Sequence, residues 1–93
     1  MQIKETYRNN FCKVLKISLQ AGEKTPLHKT TSEAFIINMK GMGKISFEDR
    51  EIILSKGESV LIKANEQHKL EIMQSMEASI ILDTDAKVSY LNN

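Results

Sequence analysis

The sequence predicts an all-β barrel or sandwich, and three observations carry that prediction. Apolar and polar residues alternate with a period of two over residues 11–19 and again from Gln67 to Ile72. Turn signals recur roughly every 8–12 residues. No stretch shows the 3.6-residue periodicity of an amphipathic helix. Many short strands without helices define a sandwich or a barrel.

Taken in order, residues 2–10 are mostly polar, with Tyr7 as the one large ring, and residues 1–10 suit an arm or an edge strand. Phe11, Leu15, Ile17 and Leu19 share one parity of a half-buried strand, which Ala21-Gly22-Glu23 ends. Pro26 lacks an N–H and suits the entry to a strand that carries His28 and Thr30 on one side. Residues 34–39, AFIINM, are apolar on both parities apart from Asn38, as in a strand covered on both faces. Gly41-Met42-Gly43 predicts a turn. Lys44–Glu48 and Glu51–Leu54 then form a hairpin around Asp49-Arg50. Further turns are expected at Lys56-Gly57-Glu58, at Ala64-Asn65-Glu66 and at 74–76, with a short strand over 59–63. His68, Leu70 and Ile72 fall on one face of the strand after Gln67. Strands over 77–84 and 87–91 bring the total to eight or nine.

Length and composition narrow the function classes. Ninety-three residues make a single domain, 1–93. A net charge of +1 gives no electrostatic footprint for nucleic acid or an anionic membrane. Five aromatic residues, none of them Trp, leave little for base stacking. No apolar run approaches membrane-spanning length, and the first ten residues have no apolar signal core. The single Cys12 supports no intrachain disulfide. A cytoplasmic protein is expected, with neither a nucleic-acid nor a membrane partner.

The two histidines are the main functional clue. His28 follows Gly22 after five intervening residues, and six residues separate Ala34 from Gly41. His68 lies in a second glycine-led stretch, GESVLIKANEQHKLEI, from Gly57 to Ile72. These stretches resemble the two motifs of the cupin superfamily, small β-barrels of jelly-roll topology. The first family motif is Gly, five residues, His-x-His, three or four residues, Glu, six residues, Gly. In this chain Thr30 stands at the second His position and Ala34 at the Glu position. The second motif is Gly, five residues, Pro-x-Gly, two residues, His, three residues, Asn. Here Lys63 stands for Pro, Asn65 for the second Gly and Ile72 for Asn, while His68 is kept. The resemblance runs over residues 16–92.

The resemblance implies a jelly-roll barrel and a metal held by three His and one Glu, of which this chain keeps His28 and His68. Glu33 lies one residue from the Glu position and could coordinate only through a bulge. No firmly bound cofactor is expected, and any divalent metal (Zn, Fe, Ni or Mn) on His28, His68 and Glu33 would be held weakly. The family match places His28 and His68 on facing walls of the barrel interior, able to hold a carboxylate or carbonyl ligand or to share a proton. Thr30 and Ala34 are smaller than the residues they replace and open room. Asn38, on the inward parity, is either a third polar contact or a buried, hydrogen-bonded amide.

The reading that follows is a small-molecule-binding barrel whose ligand meets His28, Thr30, Ala34, Asn38 and His68. Two alternatives stand beside it. One is a metal-dependent enzyme of isomerase or dioxygenase type. The other is an interaction protein with a filled barrel. A homodimer is expected because a chain this short buries only somewhat more than about 60% of its unfolded surface. Residues 35–39 also need a cover on their second face, and the resemblance points the same way.

Overall fold

The computed structural model describes residues 1–91, so the last two residues of the single-domain span lie outside it. It holds eight strands and no helix: β1 Gln2–Arg8, β2 Cys12–Leu19, β3 His28–Thr30, β4 Ala34–Phe47, β5 Glu51–Leu54, β6 Ser59–Ile62, β7 His68–Asp83 and β8 Val88–Tyr90. All pairings are antiparallel. No helix of the described residues is long and apolar enough to cross a membrane.

Two long strands, β4 and β7, organise the sheet. The first half of β4 and the second half of β7 pair with each other, flanked by β6 on one side and by β2 and β1 on the other. The second half of β4 and the first half of β7 also pair, flanked by β5 on one side and by β3 and β8 on the other. Each long strand therefore passes from one wall to the other, and the sheet curls into the jelly-roll form that the sequence predicts. The core fills the space between the walls with Ile17, Leu19, Ile36, Ile45, Leu54, Ile62, Ile72, Met76 and Leu82 among others.

The bend is where the sequence reading needs correction. Gly41-Met42-Gly43 and residues 74–76 do not end strands; they face each other in the middle of β4 and β7, with Met42 opposite Gln74. The register shifts between Asn38 and Gly43. Buried positions on β4 are accordingly Ala34, Ile36 and Asn38 before the bend and Gly43, Ile45 and Phe47 after it. A change of parity along one strand is what a bulge produces, because side chains alternate with a period of two. Gly41 has φ +80°, and a Cβ there would stand 2.0 Å from the Ser75 carbonyl oxygen. A close backbone approach and a left-handed conformation both demand glycine at that position.

Asn38 locks the same corner. Its side-chain amide donates to the carbonyls of Gly41 and Leu54, at 2.8 and 3.3 Å. Its own carbonyl accepts from the Gly57 N–H at 2.7 Å. The glycine of the second sequence motif is thus tied to the bend of the first long strand. Burying an amide without partners is costly, and here the carbonyls of Gly41 and Leu54 supply them.

Candidate functional site

His28 and His68 are directly opposite each other in the β3–β7 ladder. Residues opposite in a ladder project to the same face. The two rings lie 4.2 Å apart between centroids, tilted by 59°. They are therefore neighbours on one wall, not residues on facing walls as the family match had placed them. His68 is almost wholly buried, whereas His28 is half-buried.

Each ring is fixed by the same local device. His28 Nδ1 donates to the Pro26 carbonyl at 2.8 Å, and His68 Nδ1 donates to the Glu66 carbonyl at 2.9 Å. A carbonyl oxygen only accepts, so each Nδ1 carries the hydrogen. Neither Nε2 has a hydrogen-bond partner among the described residues. Burial pushes the His68 imidazolium below its ordinary range, and the neighbouring His28 adds to that effect.

The pair sits within a row of rings running across four strands. Phe47 on β4 is opposite His68, and Tyr90 on β8 is opposite His28. Ring centroids are 6.1 Å apart for Phe47–His68 and 5.8 Å for His28–Tyr90. Arg50 caps the row, its guanidinium 3.9 Å above the Phe47 ring. Arg50 also donates to Glu66 at 3.0 Å and holds that carboxyl below the usual carboxylate range. The turn whose carbonyl anchors His68 is thereby pinned from outside. Sequence reasoning missed Phe47, Arg50 and Tyr90. The signal was faint: the strand partners of the histidines become visible only once the register is known.

Between the two walls lies a cavity of about 640 Å³. Leu15, Ile17, Ile36, Ile62, Ile80 and Leu82 are among its apolar lining residues. His28, His68, Thr30 and Ala34 line it as the sequence suggested. Asn38 does not, because it is consumed at the bend. Thr30 directs its hydroxyl hydrogen to the Ser32 carbonyl at 2.8 Å. Glu23 also lines the cavity and was not singled out from sequence. Its Oε1 accepts from the Met1 amino group at 2.9 Å, and its Oε2 is buried without a partner.

These residues do not make up the four-ligand set that the family resemblance implies. A first-row metal takes about three or four protein donors. Ala34 offers none, the Thr30 hydroxyl is committed, and Glu33 is exposed outside the cavity. Among the described residues no group of three or more His, Cys, Asp or Glu side chains is gathered closely enough to hold an ion.

The fold and the paired histidines define a cupin barrel. The chain belongs to the cupin family: residues 15–84 match the Cupin domain. It is similar in structure to a cupin-2 domain protein of Shewanella frigidimarina, with 21% identity, a TM-score of 0.77, and 86% of this chain and 78% of that one covered. A polyketide cyclase from Streptomyces resistomycificus is similar at 17% identity and a TM-score of 0.81, with 91% of this chain and 63% of that one covered. A salicylate 1,2-dioxygenase from Pseudaminobacter salicylatoxidans is similar at 12% identity and a TM-score of 0.79, over 87% of this chain and 25% of that one. At these identities the likeness is one of fold. No curated protein matches the chain.

Proposed function

We propose that this protein binds a small molecule in the barrel interior and does so without a firmly bound metal. The observation that carries the reading is the cavity of about 640 Å³ with His28 and His68 on its wall. Small-molecule sites are concave, mostly apolar, and carry a few placed polar groups in roughly 300–1,000 Å³. A filled barrel acting only through its surface has no use for such a space. The shortage of donors around the two imidazoles supports the metal-free part of the reading.

The protein works as a homodimer in this proposal, and its half-buried Cys12 suits a reducing, cytoplasmic setting. Support for the dimer comes from the outer face of one wall. Tyr7, Val14, Ile81, Phe35 and Leu61 are successive ladder partners across five strands. Tyr7, Phe35 and Leu61 on that row are 55%, 37% and 49% exposed. A contiguous apolar row of this kind marks an interaction face.

Titration of methyl-labelled protein with a library of apolar fragments tests the ligand site by NMR. Binding should shift the methyl signals of Ile17, Ile36, Ile80 and Leu82 together with the imidazole signals of both histidines. Fragments that perturb only the outer row would overturn the proposed site, and so would a library with no binders.

A further inference from the structure

The free polar atoms beside the histidine pair and the buried one at Glu23 are acceptors. His28 Nε2 and His68 Nε2 are unpartnered among the described residues, and with Nδ1–H committed to a carbonyl each presents only a lone pair. Thr30 spends its hydroxyl hydrogen on Ser32, so it too faces the cavity as an acceptor. Glu23 Oε2 is the one buried side-chain N or O atom without a partner among the described residues, and it is a carboxylate oxygen. Thr25 and Tyr90 also line the cavity and carry hydroxyls that can donate, but neither is charged and neither is fully buried. Two ammonium groups belong to lining residues: Lys24, which is exposed, and the amino group of the exposed Met1, which is committed to Glu23 Oε1.

A ligand must complement that pattern, because a buried polar atom without a partner is costly on either side of the contact. A carboxylate would bring more acceptors and a negative charge to a wall that already holds unpaired acceptors and Glu23. A carbonyl would bring another acceptor. A hydroxyl brings the missing hydrogen.

We propose that the cavity selects an uncharged, largely apolar molecule carrying a hydroxyl, which donates to Nε2 of His28 or His68. The carboxylate and carbonyl ligands that a bare pair of imidazoles would suggest are disfavoured by the tautomer the structure imposes. This inference rests on the small-molecule reading above and adds the chemistry of the ligand's head group. The two rings, 4.2 Å apart, offer two adjacent acceptors, so a second donor on the same edge of the ligand would be satisfied as well.

Three probes of one shape separate the possibilities: naphthalene, 2-naphthol and 2-naphthoate, titrated by NMR at pH 8, above the imidazole range. The expected order is 2-naphthol tightest, by about fivefold over naphthalene, the worth of one net hydrogen bond. 2-Naphthoate should bind about tenfold more weakly than 2-naphthol or not at all. In His28→Phe and His68→Phe, which keep a ring in the row but remove Nε2, the ratio of naphthol to naphthalene affinity should fall toward one. Binding of naphthalene and 2-naphthol with equal affinity, or a preference for 2-naphthoate, would overturn the head-group assignment while leaving the cavity reading intact. Failure of all three to shift any cavity signal would overturn both.

Discussion

Replacing Gly41 with alanine should damage the protein far more than replacing Gly57, although both glycines have φ near +80°. The left-handed conformation alone costs a residue with a Cβ about 1–2 kcal/mol. Nothing lies within 4 Å of a Cβ built at Gly57, so Gly57→Ala should stop at that figure. At Gly41 the Cβ would stand 2.0 Å from Ser75 O and 2.8 Å from Gln74 O. The β7 backbone would have to retreat by about 1 Å in a close-packed corner. That movement weakens the ladder around Met42 and Gln74, at about 1 kcal/mol for each hydrogen bond lost. The expected loss for Gly41→Ala is therefore about 3–5 kcal/mol. At 0.05–0.15 kcal/mol per residue this chain has only about 5–14 kcal/mol in total. Urea denaturation of both variants and the parent at one protein concentration gives the comparison directly. Equal losses for Gly41→Ala and Gly57→Ala would refute the view that close packing of the two long strands dictates the bend.

Further outcomes are expected. Untagged, chelator-free protein should carry well under one equivalent of transition metal by elemental analysis, and Thr30→His with Ala34→Glu should raise zinc affinity; stoichiometric metal surviving dialysis would contradict the donor count. Phe35→Lys, within the outer apolar row, should give monomers or poor folding by light scattering, and an unchanged dimer would remove that face from the interface. For His68, burial depresses the folded-state value below the ordinary 6.5, so the unfolded chain takes the proton first as pH falls. Stability should be full above that range and decline below about pH 6.5, and His68→Phe should flatten this part of the urea-midpoint profile.

Much of this architecture was legible in the residue pattern. Alternation located β2 and the first half of β7, and the glycine-to-histidine spacing, through the family resemblance, assigned both His28 and His68 to the barrel interior. The bend was not legible, because a glycine at a turn and a glycine at a bulge give the same local signal. Only the parity change from Asn38 to Gly43 separates them, and it shows once β7 is laid alongside. Asn38 was read correctly as inward, but its partners, Gly41, Leu54 and Gly57, meet only when the chain has folded back. The relation of the histidines was hidden for a similar reason. Spacing within each motif gives no pairing between β3 and β7, and that pairing decides whether two rings oppose or adjoin. On the outward parity of β4, Ile37 is half-buried between Ser59 and Ser79, whereas Phe35 is exposed among apolar ladder partners.

The cavity itself is the central claim, and diffraction from crystals of the untagged protein under xenon pressure tests it most directly. Apolar cavities accept xenon without requiring any particular hydrogen bond. One or more xenon atoms should lie between the walls, in contact with Ile17, Ile36 and Ile80 and within reach of the His28–His68 pair. A barrel with no xenon inside, and with the Ile36–Ile80 wall closed onto the wall that carries His28 and His68, would contradict the account.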